Sequence, residues 1–133
     1  MTFCETFPRL ADQFQVSMME VVGALRELNS NDEILRTIVL PTLIQIEDMF
    51  GWLITRHKTE SENGMVQVCL IEIDSALENI KQALLEPRPY SIRRDRMLRF
   101  CDQFMHVVTK RTHWLEVIIN FVFFPLFPSA ENN

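Results

Sequence analysis

The amino-acid sequence predicts an all-α protein built as an antiparallel four-helix bundle. Along four segments, apolar residues recur three and four positions apart, which is the spacing of one buried helix face. An Asn-Ser-Asn stretch, an Asn-Gly pair and a linker with two prolines separate these segments, as expected for turns. The second and third connections are short, which favours neighbouring helices that run in opposite directions.

The first predicted helix begins at Pro8, because a proline is tolerated at the first helical position, where its missing N–H would be unpaired anyway. Its buried line repeats over three heptads and comprises Phe7, Ala11, Phe14, Met18, Val21, Leu25 and Leu28. Asn29, Ser30 and Asn31 end this helix and cap the next, whose first turn is acidic.

The second predicted helix runs from about Asp32 to Lys58 and carries apolar residues on more than one face, so we expect it to be the most enclosed element. Its broad apolar side comprises Leu35, Ile38, Val39, Leu43, Ile46, Met49, Phe50 and Leu53, with Leu40, Ile44 and Trp52 beyond it. Pro41 removes one backbone hydrogen bond and predicts a kink. Gly51 costs roughly 1 kcal/mol relative to alanine in a helix interior.

The third predicted helix runs from Met65 to Leu85. Its buried line comprises Val66, Cys69, Ile73, Ala76, Ile80 and Ala83. The stretch from Val66 to Ile73 is rich in branched residues and would also suit a strand. The helical spacing of the whole segment favours a helix. The segment from Glu86 to Tyr90 is predicted to be an extended linker, because each proline disfavours helical backbone in the residue before it.

The fourth predicted helix, from Ile92 to Phe124, is the longest and changes character along its length. Its buried line comprises Leu98, Cys101, Met105, Val108, Thr112, Leu115, Ile119 and Val122. The opposite line contains no carboxylate and comprises Arg96, Arg99, Gln103, His106, Lys110 and His113. Beyond Trp114 this outward line continues as Val117, Phe121 and Phe124. A face that should meet water therefore becomes as apolar as the buried one.

Length and composition indicate one domain, residues 1–133, alone or as part of a longer chain. Of the 133 residues, 47% are hydrophobic and 23% charged, as in ordinary globular domains. Three cysteines, Cys4, Cys69 and Cys101, share no CxxC spacing and are interpreted as buried thiols of a cytoplasmic or nuclear protein. We expect no transmembrane segment, because the most apolar run, from Val117 to Phe127, is too short.

The residue types needed for catalysis or for metal binding are not brought together by the sequence. The glycines are isolated, and neither the Glu-x-x-His pairs of di-iron bundles nor an HExxH motif occurs. Asp102, His106 and His113 share one helix but would need a second helix to complete a metal site. We therefore expect no catalytic residues, no cofactor and no metal site.

An arginine cluster lies at the start of the fourth helix. Its five members within twelve residues are Arg88, Arg93, Arg94, Arg96 and Arg99. Residues 1–86 contain fourteen acidic and six basic side chains, whereas residues 87–133 contain four acidic and seven basic ones. The arginines could pair with the acidic part of this chain, bind an acidic partner protein, or bind phosphate or nucleic acid.

An apolar cluster at the end of the fourth helix is the second candidate surface. We predict that it binds a protein partner through Trp114, Val117, Phe121, Phe123, Phe124 and Phe127. The partner would be another protein or a second copy of this chain. Packing on the domain's own core and contact with a membrane surface are the alternatives.

These two surfaces predict a non-enzymatic interaction module, an adaptor or a subunit of a larger assembly. One alternative is a nucleic-acid-associated factor that binds through residues Arg88 to Arg99, although the net charge of −5 repels phosphate. Another is a helical cell-death regulator whose apolar groove takes a partner helix.

Overall fold

A computed structural model describes residues 2–60 and 63–123 of the chain; for residues 119–123 it describes the helix but not the side chains. These residues form four helices, Phe3–Arg26, Asp32–Arg56, Gly64–Leu85 and Tyr90–Phe123, and contain no strand. The predicted all-α class is confirmed. Residues 66–73, for which a strand was an alternative, are helical.

The first helix begins at Phe3, ahead of the predicted start at Pro8, which lies inside the helix. Thr2 caps it: its hydroxyl accepts from the backbone N–H of Glu5, and the Glu5 carboxylate accepts from the backbone N–H of Thr2 at 2.9 Å. The helix ends at Arg26. Leu28, predicted to be buried, lies beyond that end and is fully exposed.

The second helix begins at Asp32, and Asn31 caps it as predicted, accepting from the backbone N–H of Glu33 at 2.9 Å. Residues Leu35–Val39 form a π turn, in which the backbone N–H of Leu40 bonds to the carbonyl of Leu35. The buried line of the helix comprises Leu35, Val39, Leu43, Ile46, Phe50 and Leu53.

The prediction that the second helix is the most enclosed element is wrong. Ile44 is 46% exposed and Trp52 is 52% exposed, and Ile38 and Leu40 are also exposed. Among the described residues the helix is covered along one side only, because it packs mainly against the first helix. Its second apolar face therefore remains in solvent.

The core lies where the fourth helix packs against both the first and the third helices. Phe14 and Phe104 meet there edge to face with ring centroids 6.2 Å apart. The fourth helix has a neighbour on each side, so it buries Met97 and Phe104 in addition to Cys101. Of these three, only Cys101 was on the predicted buried line. Three members of its predicted buried line are only half-buried: Leu98, Met105 and Thr112. All six predicted core residues of the third helix are buried.

Candidate functional site

Arg93, in the arginine cluster, is turned into the protein. Its guanidinium donates to the Asp32 carboxylate, to the carbonyl of Arg88 at 2.7 Å and to the carbonyl of Leu84 at 3.4 Å. The side chain is only 14% exposed. It therefore connects the start of the second helix, the end of the third and the start of the fourth.

The other arginines of the cluster divide into two groups. Arg96 pairs with Glu86 at 3.0 Å, and Arg94 pairs with the adjacent aspartate at 3.2 Å. Arg88 and Arg99 are exposed, and their side chains have no partner within residues 2–60 and 63–123. Two guanidinium groups of the predicted site are thus available to a ligand.

The predicted outward line of the fourth helix faces solvent. Its exposed members, which we call the basic stripe, are Arg99, Gln103, His106, Lys110 and His113. Arg111, beside the stripe, instead turns toward the third helix, where it donates two 2.7 Å hydrogen bonds to Glu72 and lies 4.7 Å above the Trp114 ring. The hydrogen bonds from Arg111 lower the pKa of the Glu72 carboxyl below its usual value.

Glu72→Gln should lower the free energy of unfolding by about 1 to 2 kcal/mol at neutral pH, because it removes a partly buried ion pair. The pKa of Glu72 is lower in the folded than in the unfolded protein. Its carboxylate therefore contributes fully to the free energy of unfolding above the usual pKa of 4.5, and this contribution is lost as pH falls through the lowered pKa. Urea unfolding from about pH 7 to about pH 3 should show the difference from wild type shrinking. Asp74→Asn, at an exposed position, is the control. A difference in free energy of unfolding between Glu72→Gln and wild type that stays constant with pH would contradict an ionic contribution.

The apolar cluster at the end of the fourth helix is described only in part. Trp114 is half-buried beneath a guanidinium group, and Val117, the first apolar residue after the basic stripe, is 49% exposed. Phe121 and Phe123 belong to the helix, but their side chains lie outside the described part. The remaining two members, Phe124 and Phe127, lie outside the described residues altogether. Of the predicted apolar outward line, the structure therefore describes only Val117, which is exposed.

Sequence reasoning missed a further surface, the outer face of the second helix, because it assigned Ile44 and Trp52 to buried faces. The signal was the presence of Asp48 between them, since a carboxylate is almost never fully buried unless it is paired. This helix is also long and apolar enough to cross a membrane, a test that core helices of soluble proteins pass too. The absence of a transmembrane segment therefore stays a prediction.

A groove of about 550 Å³ separates the exposed sides of the first and second helices. Its lining residues are Asp12, Gln13, Val16, Ser17, Gln45, Asp48 and Met49. We call it the acidic groove, because Asp12 and Asp48 stand on its two walls and none of its described lining residues is basic. Both carboxylates are exposed and have no ion-pair partner in the part of the chain that the structure describes. A ligand of opposite charge would find them unpaired.

Burial controls the chemistry of the cysteines. It raises the pKa of Cys101 to about 12 and that of Cys69 to about 11, so both thiols stay protonated near neutral pH. All three cysteines were predicted to be buried, which is confirmed for Cys69 and Cys101 and wrong for Cys4, which is only half-buried. Within the described ranges no three His, Cys, Asp or Glu side chains converge as a metal site would require.

His57 is a buried polar group at the end of the second helix. Its Nδ1 lies 3.0 Å from a carboxylate oxygen of Glu60, and its ring meets Phe3 edge-on at 5.8 Å. The other Glu60 oxygen accepts from the backbone N–H of Phe3 at 3.0 Å. Glu60 thus connects the start of the first helix to the end of the second. We therefore interpret the contact between His57 and Glu60 as one that holds the fold together.

Comparisons of this chain with protein-family models, with curated proteins and with solved structures find no match. Its function is therefore inferred from the exposed surfaces of the molecule.

Proposed function

We propose that this protein is a non-enzymatic interaction module, an adaptor or a subunit of a larger assembly in the cytoplasm or nucleus. The partner surface is the apolar end of the fourth helix, with the arginine cluster contributing at its start. The observation that carries the proposal is the exposure of Val117, 49%, at the point where the basic stripe ends. An outward helix line that turns apolar is typical of a face that another chain covers.

The free energy available at such a surface is considerable. Burying one large aliphatic or aromatic side chain contributes roughly 1.5 to 3 kcal/mol. Val117 is followed on the same outward line by Phe121 and Phe124, at spacings of four and three. Three such side chains on one face would supply a central apolar anchor for a specific contact.

We further propose that the four helices form an antiparallel bundle in which the second helix bends near Pro41. Contacts between opposite ends support the antiparallel order: Phe3, at the start of the first helix, meets His57 at the end of the second. Likewise Arg93, near the start of the fourth helix, meets Leu84 at the end of the third. The π turn directly before Pro41 supports the bend, because such turns interrupt regular helical hydrogen bonding.

A protein partner fits the arginine cluster better than nucleic acid does. Arg93, Arg94 and Arg96 already have carboxylate partners in this chain, which leaves Arg88 and Arg99. Two free guanidinium groups on a chain of net charge −5 would hold a phosphate backbone weakly. The same two groups suffice to orient acidic side chains of a protein partner.

Site-specific photo-crosslinking tests the proposal. A photoreactive phenylalanine analogue at position 117 should capture a second polypeptide in living cells, because position 117 lies inside the proposed contact. The same analogue at Gln82, an exposed position on the third helix, is the matched control. Mass spectrometry of the adduct gives the partner's mass and distinguishes a second copy from another protein.

A partner captured at position 117 and not at position 82 supports an interaction module. Equal capture at both positions, or none at position 117, would contradict it. In either of those outcomes the end of the fourth helix is not specifically covered by another chain.

A further inference from the structure

The acidic groove and the basic stripe are complementary surfaces on one molecule. The groove presents Asp12 and Asp48 on opposite walls, together with the apolar Val16 and Met49. The stripe presents Lys110 as an exposed cation, and the exposed Val117 lies two turns further along the same helix. Each surface therefore combines charge with neighbouring apolar side chains, and the charges are opposite.

We infer that the acidic groove of one copy receives the fourth helix of a second copy. This inference rests on the proposed function, since it names the partner of the same helix end. It adds the receiving surface, which lies on the first and second helices and is absent from the surfaces predicted by the sequence.

The charge arrangement selects this partner. Asp12 and Asp48 have no ion pair among the described residues, and no basic side chain lines the groove. An incoming helix with a carboxylate on its contact line would be repelled. The basic stripe has none, and its cation Lys110 can lie between the two aspartates.

The spacing of the two surfaces also agrees. On the first helix, the groove residues Asp12 and Val16 are followed by the 54%-exposed Met19, which does not line the groove and lies seven residues after Asp12. On the fourth helix, Lys110 and Val117 are also seven residues apart. Seven residues correspond to about two turns, or about 10.5 Å. With the two helices side by side, Lys110 meets Asp12 while Val117 meets Met19.

Such a contact joins two different surfaces, so a single contact would leave one groove and one helix end unfilled. A pair in which each copy places its fourth helix in the other's groove fills both and closes on itself. The expected product is a two-fold symmetric dimer that salt weakens, because exposed charge pairs are screened.

A charge exchange tests the inference. The groove variant carries Asp12→Lys with Asp48→Lys, and the stripe variant carries Lys110→Glu with His113→Glu. Each variant alone should associate about tenfold or more weakly than wild type, because like charges now face each other. An equimolar mixture should associate again, since the basic groove meets the acidic stripe and the native groove meets the native stripe. Analytical ultracentrifugation measures the association of each variant alone and of the equimolar mixture.

The control variant, Asp74→Lys with Glu27→Lys, makes the same charge change as the groove variant at exposed positions elsewhere. It should dimerise as wild type does. Circular dichroism of each variant checks folding, and Asp12→Asn with Asp48→Asn replaces the groove variant if the lysines unfold it.

A monomeric wild type, a dimer unaffected by both charge changes, or a mixture that fails to associate would overturn the inference. These results leave the proposed function separately testable. Crosslinking at position 117 to a polypeptide of a different mass would keep the interaction module and exclude the groove of a second copy. No crosslink at position 117 would contradict both the interaction module and the groove contact.

Discussion

Phe14→Ala is expected to lower the free energy of unfolding by about 3 to 5 kcal/mol. The ring is fully buried, with its centroid 6.4 Å from that of Phe7 and 6.2 Å from that of Phe104. It joins the first helix to the fourth in the core, so its removal leaves a cavity that two separate helices would have to close. Urea unfolding followed by circular dichroism measures the loss.

Val68→Ala is the control for this change, because Val68 lies on the third helix, outside both proposed contact surfaces, and is 42% exposed. It should alter stability by less than about 0.5 kcal/mol. A Phe14→Ala loss below about 1 kcal/mol would show that the ring is not part of a packed core.

Arg93→Glu is expected to lower the free energy of unfolding by about 2 to 4 kcal/mol. The change removes the hydrogen bonds from the guanidinium to Asp32 and to the carbonyls of Leu84 and Arg88. It also brings a carboxylate next to the carboxylate of Asp32 and two carbonyl oxygens. The favourable effect of an acid near a helix N-terminus, up to about 1 kcal/mol, is smaller.

Arg99→Glu makes the same change of charge on the same helix, at an exposed side chain without a partner among residues 2–60 and 63–123. Thermal unfolding at low protein concentration, where association does not contribute, should find it within about 0.5 kcal/mol of wild type. Equal losses for the two variants would mean that general charge, and not the contacts of Arg93, sets the effect.

Helical periodicity was enough to predict the all-α class and most of the buried lines. From Phe7 to Leu25 the first helix repeats without interruption, so only one face could be buried, and that face is buried. The start of the same helix was missed although Thr2 and Glu5 form the Thr-x-x-Glu signature of a capping box. Pro8 also suits a first helical turn, so the sequence offers two competing start signals.

The second helix could not be predicted as well, because its apolar residues outnumber the positions that its neighbours cover. Periodicity gives the angle between Ile44 and Ile46 but not which of them meets the core. That choice depends on where the first helix lies, which is a property of the whole fold. Ile46 is fully buried and Ile44 is 46% exposed.

The candidate sites also contain some features that the sequence alone predicts and others that depend on how the helices pack. The absence of carboxylates from the basic stripe could be read directly from the sequence. The partner of Arg93 could not, since Asp32 lies 61 residues away and meets it only through the packing of helix ends. The acidic groove was missed for the same reason: Asp12 and Asp48 face each other across a groove only when two helices pack together.

The π turn at Leu35–Val39 holds one residue more than a regular turn of α-helix would. The buried residues Leu35, Val39 and Leu43 are spaced four and four apart, which in a regular α-helix would displace the buried line sideways by about 80°. The wider turn removes most of this displacement, so that Leu35, Val39 and Leu43 lie on one side of the helix, and all three are buried.

In evolutionary terms, this turn is where the helix can change its length. A related chain that lacked one residue within positions 35–39 would continue as a plain α-helix, and both halves would keep their buried faces toward the core. The same deletion after Val39 would rotate everything before it by about 100° relative to Ile46 and Phe50. When relatives of this chain are aligned with it, a single-residue gap in the second helix therefore belongs in the π turn.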